Sequence, residues 1–192
     1  MSRRVLHLLV VVTASLALPQ STAPSAEAID LAPGDCPEII PGPGLPSLKS
    51  LNLTSADLCK SPEEFQKAHG LPDIEQPSLM KRYTPWCSGS TVVSYWKATS
   101  CYNYLWYLGN TPCVVPPSGS RFCHSNTGTD DVAWYGTSVN GHTTQSTCQE
   151  VAAGGNWVLE HCAEILADLV FLWEGANAAW NNGNLAVRIG PY

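Results

Sequence analysis

The stretch "STCQEVAAGGNWVLEHC", residues 146–162, decides how this chain can fold. Thr147 is placed to cap a helix, and Glu150, three residues on, to close a capping box with it. Val151, Gly154, Gly155, Val158, Leu159 and Cys162 then recur at helical spacing on one side, with Asn156 and Glu160 on the other. Gly154-Gly155 weakens a helix, so its presence implies that another backbone packs close at that point. Cys148 and Cys162 would stand about 21 Å apart along this helix, far beyond disulfide reach. Each therefore ties the helix to another part of the chain, most simply to strands.

Downstream, "EILADLVFLWE" (164–174) reads as a second helix, with Ile165, Leu169 and Leu172 or Trp173 facing inward. "NNGN" (181–184) then turns into "LAVRI" (185–189), where Leu185, Val187 and Ile189 alternate inward as a closing strand. Upstream, "STVVSYW" (90–96), "CYNYLWYL" (101–108), "CVV" (113–115) and "DVAWYGTSV" (131–139) are β-branched and aromatic runs separated by breakers, which predicts strands. A strand at 101–107 sets Tyr102, Tyr104 and Trp106 on one face and Asn103, Leu105 and Tyr107 on the other. Exposed, the first face would be a ligand platform that stacks on sugar rings; buried, it is half the core. Burial is the favoured reading, because large exposed apolar patches are uncommon on monomers.

The run 146–162 followed by "NNGNLAVRIG" (181–190) resembles the end of small secreted fungal cysteine-rich proteins of the killer-toxin-like and necrosis-inducing effector type. In these a Cys opens a helix, a Cys closes it, and an N-G-x-L-x-V strand follows. The resemblance covers the last third of the chain. It implies an α+β fold in which one or two helices cover an antiparallel sheet, an α/β sandwich made as a precursor and acting outside the cell. Killer toxins of this type act through exposed basic residues on calcium channels. Residues 83–192 hold only three basic residues, Lys97, Arg121 and Arg188, against seven acidic ones, so the resemblance carries the fold rather than that mechanism.

The N-terminal part fits export. Arg3 and Arg4 precede an apolar run from Val5 to Leu18, and Ala26-Glu27-Ala28 forms an A-x-A site, so residues 1–28 read as a signal peptide cut after Ala28. No later segment is long and apolar enough to span a membrane. Cys36, Cys59, Cys87, Cys101, Cys113, Cys123, Cys148 and Cys162 are even in number, as a disulfide framework requires, and lack the paired spacing of zinc knuckles. No metal or cofactor is expected.

Residues 29–82 read as a Pro/Gly-rich lead-in or propeptide. It holds an N-glycosylation sequon at Asn52 and one short helix, with Ser61 as cap, Pro62 in the first turn, Glu64 closing a capping box and Gly70 as the stop. If Cys36 pairs with Cys59, six cysteines remain for the rest. Every Trp and every Tyr follows Arg82. Lys81-Arg82 lies between the breakers Pro77 and Pro85, and a kexin-type processing protease would cut there to leave a cysteine-rich α+β domain over 83–192.

The acidic balance of 83–192 argues against nucleic acid and anionic membrane as partners, since both need clustered Lys/Arg. Acid–base chemistry has candidates in His124, Asp130, Asp131, His142, Glu150, Glu160 and His161. Of these, His124, Asp131 and His142 suit a loop-borne site in a small secreted hydrolase or ribonuclease. Yet no G-x-S-x-G or H-E-x-x-H is present. The leading expectation is a secreted effector or toxin-like protein that binds a target-cell receptor or a cell-wall glycan; a carbohydrate-binding module resting on Tyr102, Tyr104 and Trp106 is a further alternative.

Overall fold

The computed structural model describes residues 36–72, 83–166 and 169–192. The signal peptide, its Ala28 cleavage site and the Lys81-Arg82 pair lie outside the described residues. In chain order the elements are β1 (Glu38–Pro41), α1 (Ser55–Leu58), α2 (Pro62–His69), β2 (Trp86–Ser94) and α3 (Tyr95–Tyr107). Then follow β3 (Pro112–Val115), β4 (Ser120–Asn126), β5 (Val132–Ser138), β6 (Thr144–Thr147), α4 (Cys148–His161), β7 (Ala163–Leu166), β8 (Leu169–Ala179) and β9 (Asn182–Pro191). The main sheet is antiparallel, in the order β1-β4-β5-β9-β8-β2, with β7 also on β8; β3 and β6 form a separate ribbon. The protein is the expected α+β fold, with helices over an antiparallel sheet and four disulfides.

Helix α4 begins where the sequence places it. The Thr147 hydroxyl accepts from the Glu150 amide and the Glu150 carboxylate accepts from the Thr147 amide. A Cβ at Gly154 would collide with the Ala178 carbonyl, and one at Gly155 with the Trp134 ring, so both glycines let the helix settle onto the sheet. Cys148 is bonded to Cys113 on β3 and Cys162 to Cys87 on β2, so the two helix ends are tied to different strands.

Two expected elements are overturned. Residues 101–108, expected as a strand, lie in α3 and its cap, with Ser94 Oγ accepting from the Lys97 amide at the start. This helix is buried on all sides from Ala98 to Trp106, so it needs no polar stripe, and its composition imitates a strand. Of residues 164–174, expected as a helix, 164–166 lie in β7 and 169–174 in β8, paired antiparallel: Glu164 opposes Phe171 and Ile165 opposes Val170. The stretch has no capping residue, and its β-branched and aromatic side chains gain cross-strand partners.

Helices α3 and α4 pack on each other and on one face of the sheet. Trp134 on β5 is fully buried beneath them and donates its indole N–H to the Ala98 carbonyl. On the far side α3 is covered by residues 36–72. There β1 pairs with β4, and α1 and α2 pack on α3, burying Leu58 and Phe65 completely. Both short helices carry reciprocal capping boxes, Thr54 with Asp57 and Ser61 with Glu64. Cys36 is bonded to Cys59 and Cys101 to Cys123. Asn52 is exposed.

Candidate binding surface on the sheet

The alternative of an exposed sugar platform is not met, and the favoured burial of these side chains is, though on a helix and not on a strand. Tyr102 and Tyr104 are fully buried and Trp106 nearly so, because they lie on a helix enclosed by α4, the sheet and residues 36–72. Their polar atoms meet that cover: Gln66 Nε2 donates to the Tyr102 hydroxyl, the Tyr104 hydroxyl to the Pro46 carbonyl, and Trp106 Nε1 to the Pro72 carbonyl. Burial raises the pKa of both tyrosines strongly, so these phenols stay protonated.

The three catalytic candidates do not converge on one site: Asp131 lies near enough to His124 to act on its charge, but His142 stands apart from both. Asp131 holds the 125–131 loop: its carboxylate accepts from the Thr127 amide and hydroxyl, the Gly128 amide and the Ser125 hydroxyl. Partial burial pushes its pKa up, but the hydrogen bonds together hold it below the ordinary value. Lys97 Nζ, 3.9 Å from that carboxylate, also donates to the Thr127 hydroxyl and the Thr129 and Asp130 carbonyls. His124 is buried, its pKa lowered first by burial and then by the Arg121 guanidinium. His142 sits in the exposed turn after β5, where its carbonyl accepts from Ser138 Oγ. His124 lies opposite Ala133, five residues along β5 from Ser138, or about 17 Å. Glu150 is spent on its cap and Asn156 donates to Glu160. Among the described residues no His/Cys/Asp/Glu group could hold a metal ion, and no helix is long and apolar enough to cross a membrane.

What the strands do assemble is a row across the solvent side of the sheet. Trp134 and Ile189 point into the core, so their neighbours Tyr135 and Arg188 point out. Arg121, Tyr135 and Arg188 occupy successive paired positions on β4, β5 and β9. A bulge between Arg121 and Cys123 returns His124 to the same face as Arg121. Tyr192, 59% exposed, lies over this row: its ring stacks 4.0 Å from His124, with the Arg121 guanidinium 4.9 Å from its centroid. Arg121 also donates to the Tyr192 hydroxyl, and the Tyr192 amide donates to the Asp131 carbonyl. Arg188 lies 5.2 Å over the Tyr135 ring and pairs with Glu174 at 2.6 Å. Gly190 leaves room for that pair, since a Cβ there would come within 3.0 Å of the guanidinium.

This surface offers two tyrosine rings flanked by guanidinium groups, a chemistry that stacks on planar or sugar-like faces and donates to hydroxyl or carboxylate oxygens. Arg188 is neutralised by Glu174, whereas among the described residues Arg121 meets no carboxylate. Sequence reasoning passed over Arg121, Tyr135, Arg188 and Tyr192 as site residues. The signal available was that Arg121 and Arg188 are two of three basic residues in 83–192 and that each falls beside buried residues in an alternating strand. No curated protein and no solved structure matches the chain. A family model matches more than half of it, and the chain belongs to that family, described as a domain of unknown function (DUF8794), over residues 86–190, from β2 into β9.

Proposed function

We propose that the protein is a secreted effector of killer-toxin-like type that acts outside its cell of origin by binding a component of a target cell or its wall. Binding is assigned to the outer face of the sheet, around Arg121, Tyr135, Arg188 and Tyr192. The observation that carries this reading is the arginine–tyrosine row on the solvent side of the sheet, set against catalytic candidates that form no common site: His124 and the turn of His142 are held by positions about 17 Å apart along β5, and Asp131 is engaged in loop structure. Four disulfides with no free cysteine among the described residues fit an oxidising compartment. Export through the 1–28 signal, a glycan at Asn52 and kexin-type cutting after Arg82 belong to the same proposal.

The test is co-sedimentation of the purified protein with target cells, chitin and glucan. The double variant Arg121→Ala, Tyr192→Ala should lose binding while the melting temperature stays near that of the parent. Binding unchanged in that variant overturns the assignment of the surface. Turnover of RNA, glycan or peptide that is lost in His124→Ala overturns the non-catalytic reading.

A further inference from the structure

We infer that the outer side of α3 and the adjoining edge of β4 form a recognition surface for residues 36–72 as a separate chain, so that the cut protein works as a two-chain complex instead of releasing 83–192. This rests on the proposal that the chain is cut after Arg82.

Covalently, the two parts are independent. The one disulfide of 36–72 is internal, Cys36 to Cys59, and the other three lie within 83–192. The smaller part also has its own organisation: two capping boxes and a bond from the Ile39 amide to Ser55 Oγ that ties its strand to its first helix. The family match begins at residue 86 and leaves the whole of this part outside.

Physically, the two parts are not independent. Ile39, Leu58 and Phe65 have 2% or less of their surface exposed, and they belong to the same apolar cluster as Trp134. Exposing that cluster to water opposes separation. The polar contacts are directional. Asn103 Nδ2 donates to the Leu58 and Lys60 carbonyls, both at 2.9 Å, and Tyr104 and Trp106 donate to the Pro46 and Pro72 carbonyls. The body thus reads the backbone of its partner at four carbonyls. Strand β1 adds to β4 in register from Glu38–Asn126 to Pro41–Cys123, and the Gly42 amide continues the ladder to the Phe122 carbonyl at 2.7 Å. A Cβ at Gly42 would collide with the Arg121 carbonyl, so this docking accepts only glycine there. Removal of the cover would expose apolar surface to water and trade these directional bonds for bonds to water, which favours redocking of the same segment.

The experiment places a site-specific protease sequence within residues 73–82 of the full chain and cuts the folded protein. Native mass spectrometry at about 1 μM should show one species holding both pieces, and a non-reducing denaturing gel should separate them. Asn103→Ala should weaken the cut complex about tenfold or more, and Tyr104→Phe, which keeps the ring, by a smaller factor. Separation of the parent pieces under native conditions, or pieces that stay joined on the denaturing gel, overturns the inference. The natural secreted product separates this from the processing proposal. An uncut chain beginning near Ile29 defeats the processing proposal and, with it, the natural two-chain complex, whatever the engineered cut shows of the docking surface. A product of 83–192 with no 36–72 piece bound defeats the two-chain inference alone.

Discussion

Helices α3 and α4 lie side by side over the same sheet and are nearly equal in length, at 13 and 14 residues, yet only one of them looks like a helix in the sequence. Helix α4 is buried from Val151 to Asn156 but keeps Glu160 and His161, at its end, in water. That leaves the familiar period of apolar and polar positions. Helix α3 has no wet face between Ala98 and Trp106, because residues 36–72 cover the side that the sheet and α4 leave open. The difference teaches that the composition of α3 is a record of its cover: the buried aromatics Tyr102, Tyr104 and Trp106 have polar tips, and each of these three tips meets a group of the lead-in.

The largest test of that contrast exchanges one tryptophan on each helix. Trp106→Ala should cost about 3–5 kcal/mol, because the ring is buried, stacks on Tyr102 and holds the Pro72 carbonyl. Trp157→Ala on α4 should cost about 1 kcal/mol, since that ring is half-buried and stacks on the exposed His161. Urea unfolding measures both; equal costs would mean that the cover does not seal α3.

The asparagines give the same comparison at smaller scale. Asn103→Ala removes two hydrogen bonds to buried or half-buried carbonyls of the lead-in and should cost about 2 kcal/mol. Asn156→Ala removes one bond to Glu160, at the edge of the solvent face, and should cost less than about 1 kcal/mol. Next come the caps. Ser94→Ala and Thr147→Ala should each cost about 1 kcal/mol, which would show that the two helices start by the same device even though only one also has a capping box.

The legibility of the fold divides along the same line. The start of α4, its close approach at Gly154-Gly155, the closing strand of Leu185, Val187 and Ile189, and the α+β class all follow from local pattern. What stayed hidden depends on partners far away in the chain. The α3 sequence is ambiguous until residues 36–72 are known to cover it, and 164–174 alternates well enough to serve either as helix or as hairpin. The surface row was hidden for a different reason. Arg121, Tyr135 and Arg188 become neighbours only through strand register, including a bulge, and no spacing along the chain announces it.

The smallest expected effect concerns acid. Burial, then Arg121, holds His124 below its ordinary value of 6.5, and hydrogen bonds outweigh burial to hold Asp131 below 3.8. In each case the unfolded chain takes up the proton at higher pH than the folded one. Their contribution to stability is therefore full above about pH 6.5 and is lost as pH falls, first through His124 and then, below 3.8, through Asp131. In His124→Gln the melting temperature should lose the first fall and keep the second. A profile that is flat down to the carboxylate range in the parent would remove His124 from the account.

The central claim, that α3 is sealed by residues 36–72, is tested most directly by exchange of the tryptophan indole protons in the intact chain. Trp106 Nε1 is bonded to the Pro72 carbonyl and Trp134 Nε1 to the Ala98 carbonyl, both beneath cover, whereas Trp86 is 38% exposed and bonds only to the exposed Tyr83 hydroxyl. After transfer to deuterated water, the Trp106 signal, assigned through Trp106→Phe, should persist with that of Trp134 long after the Trp86 signal has gone. A Trp106 signal that disappears together with that of Trp86 would contradict the seal.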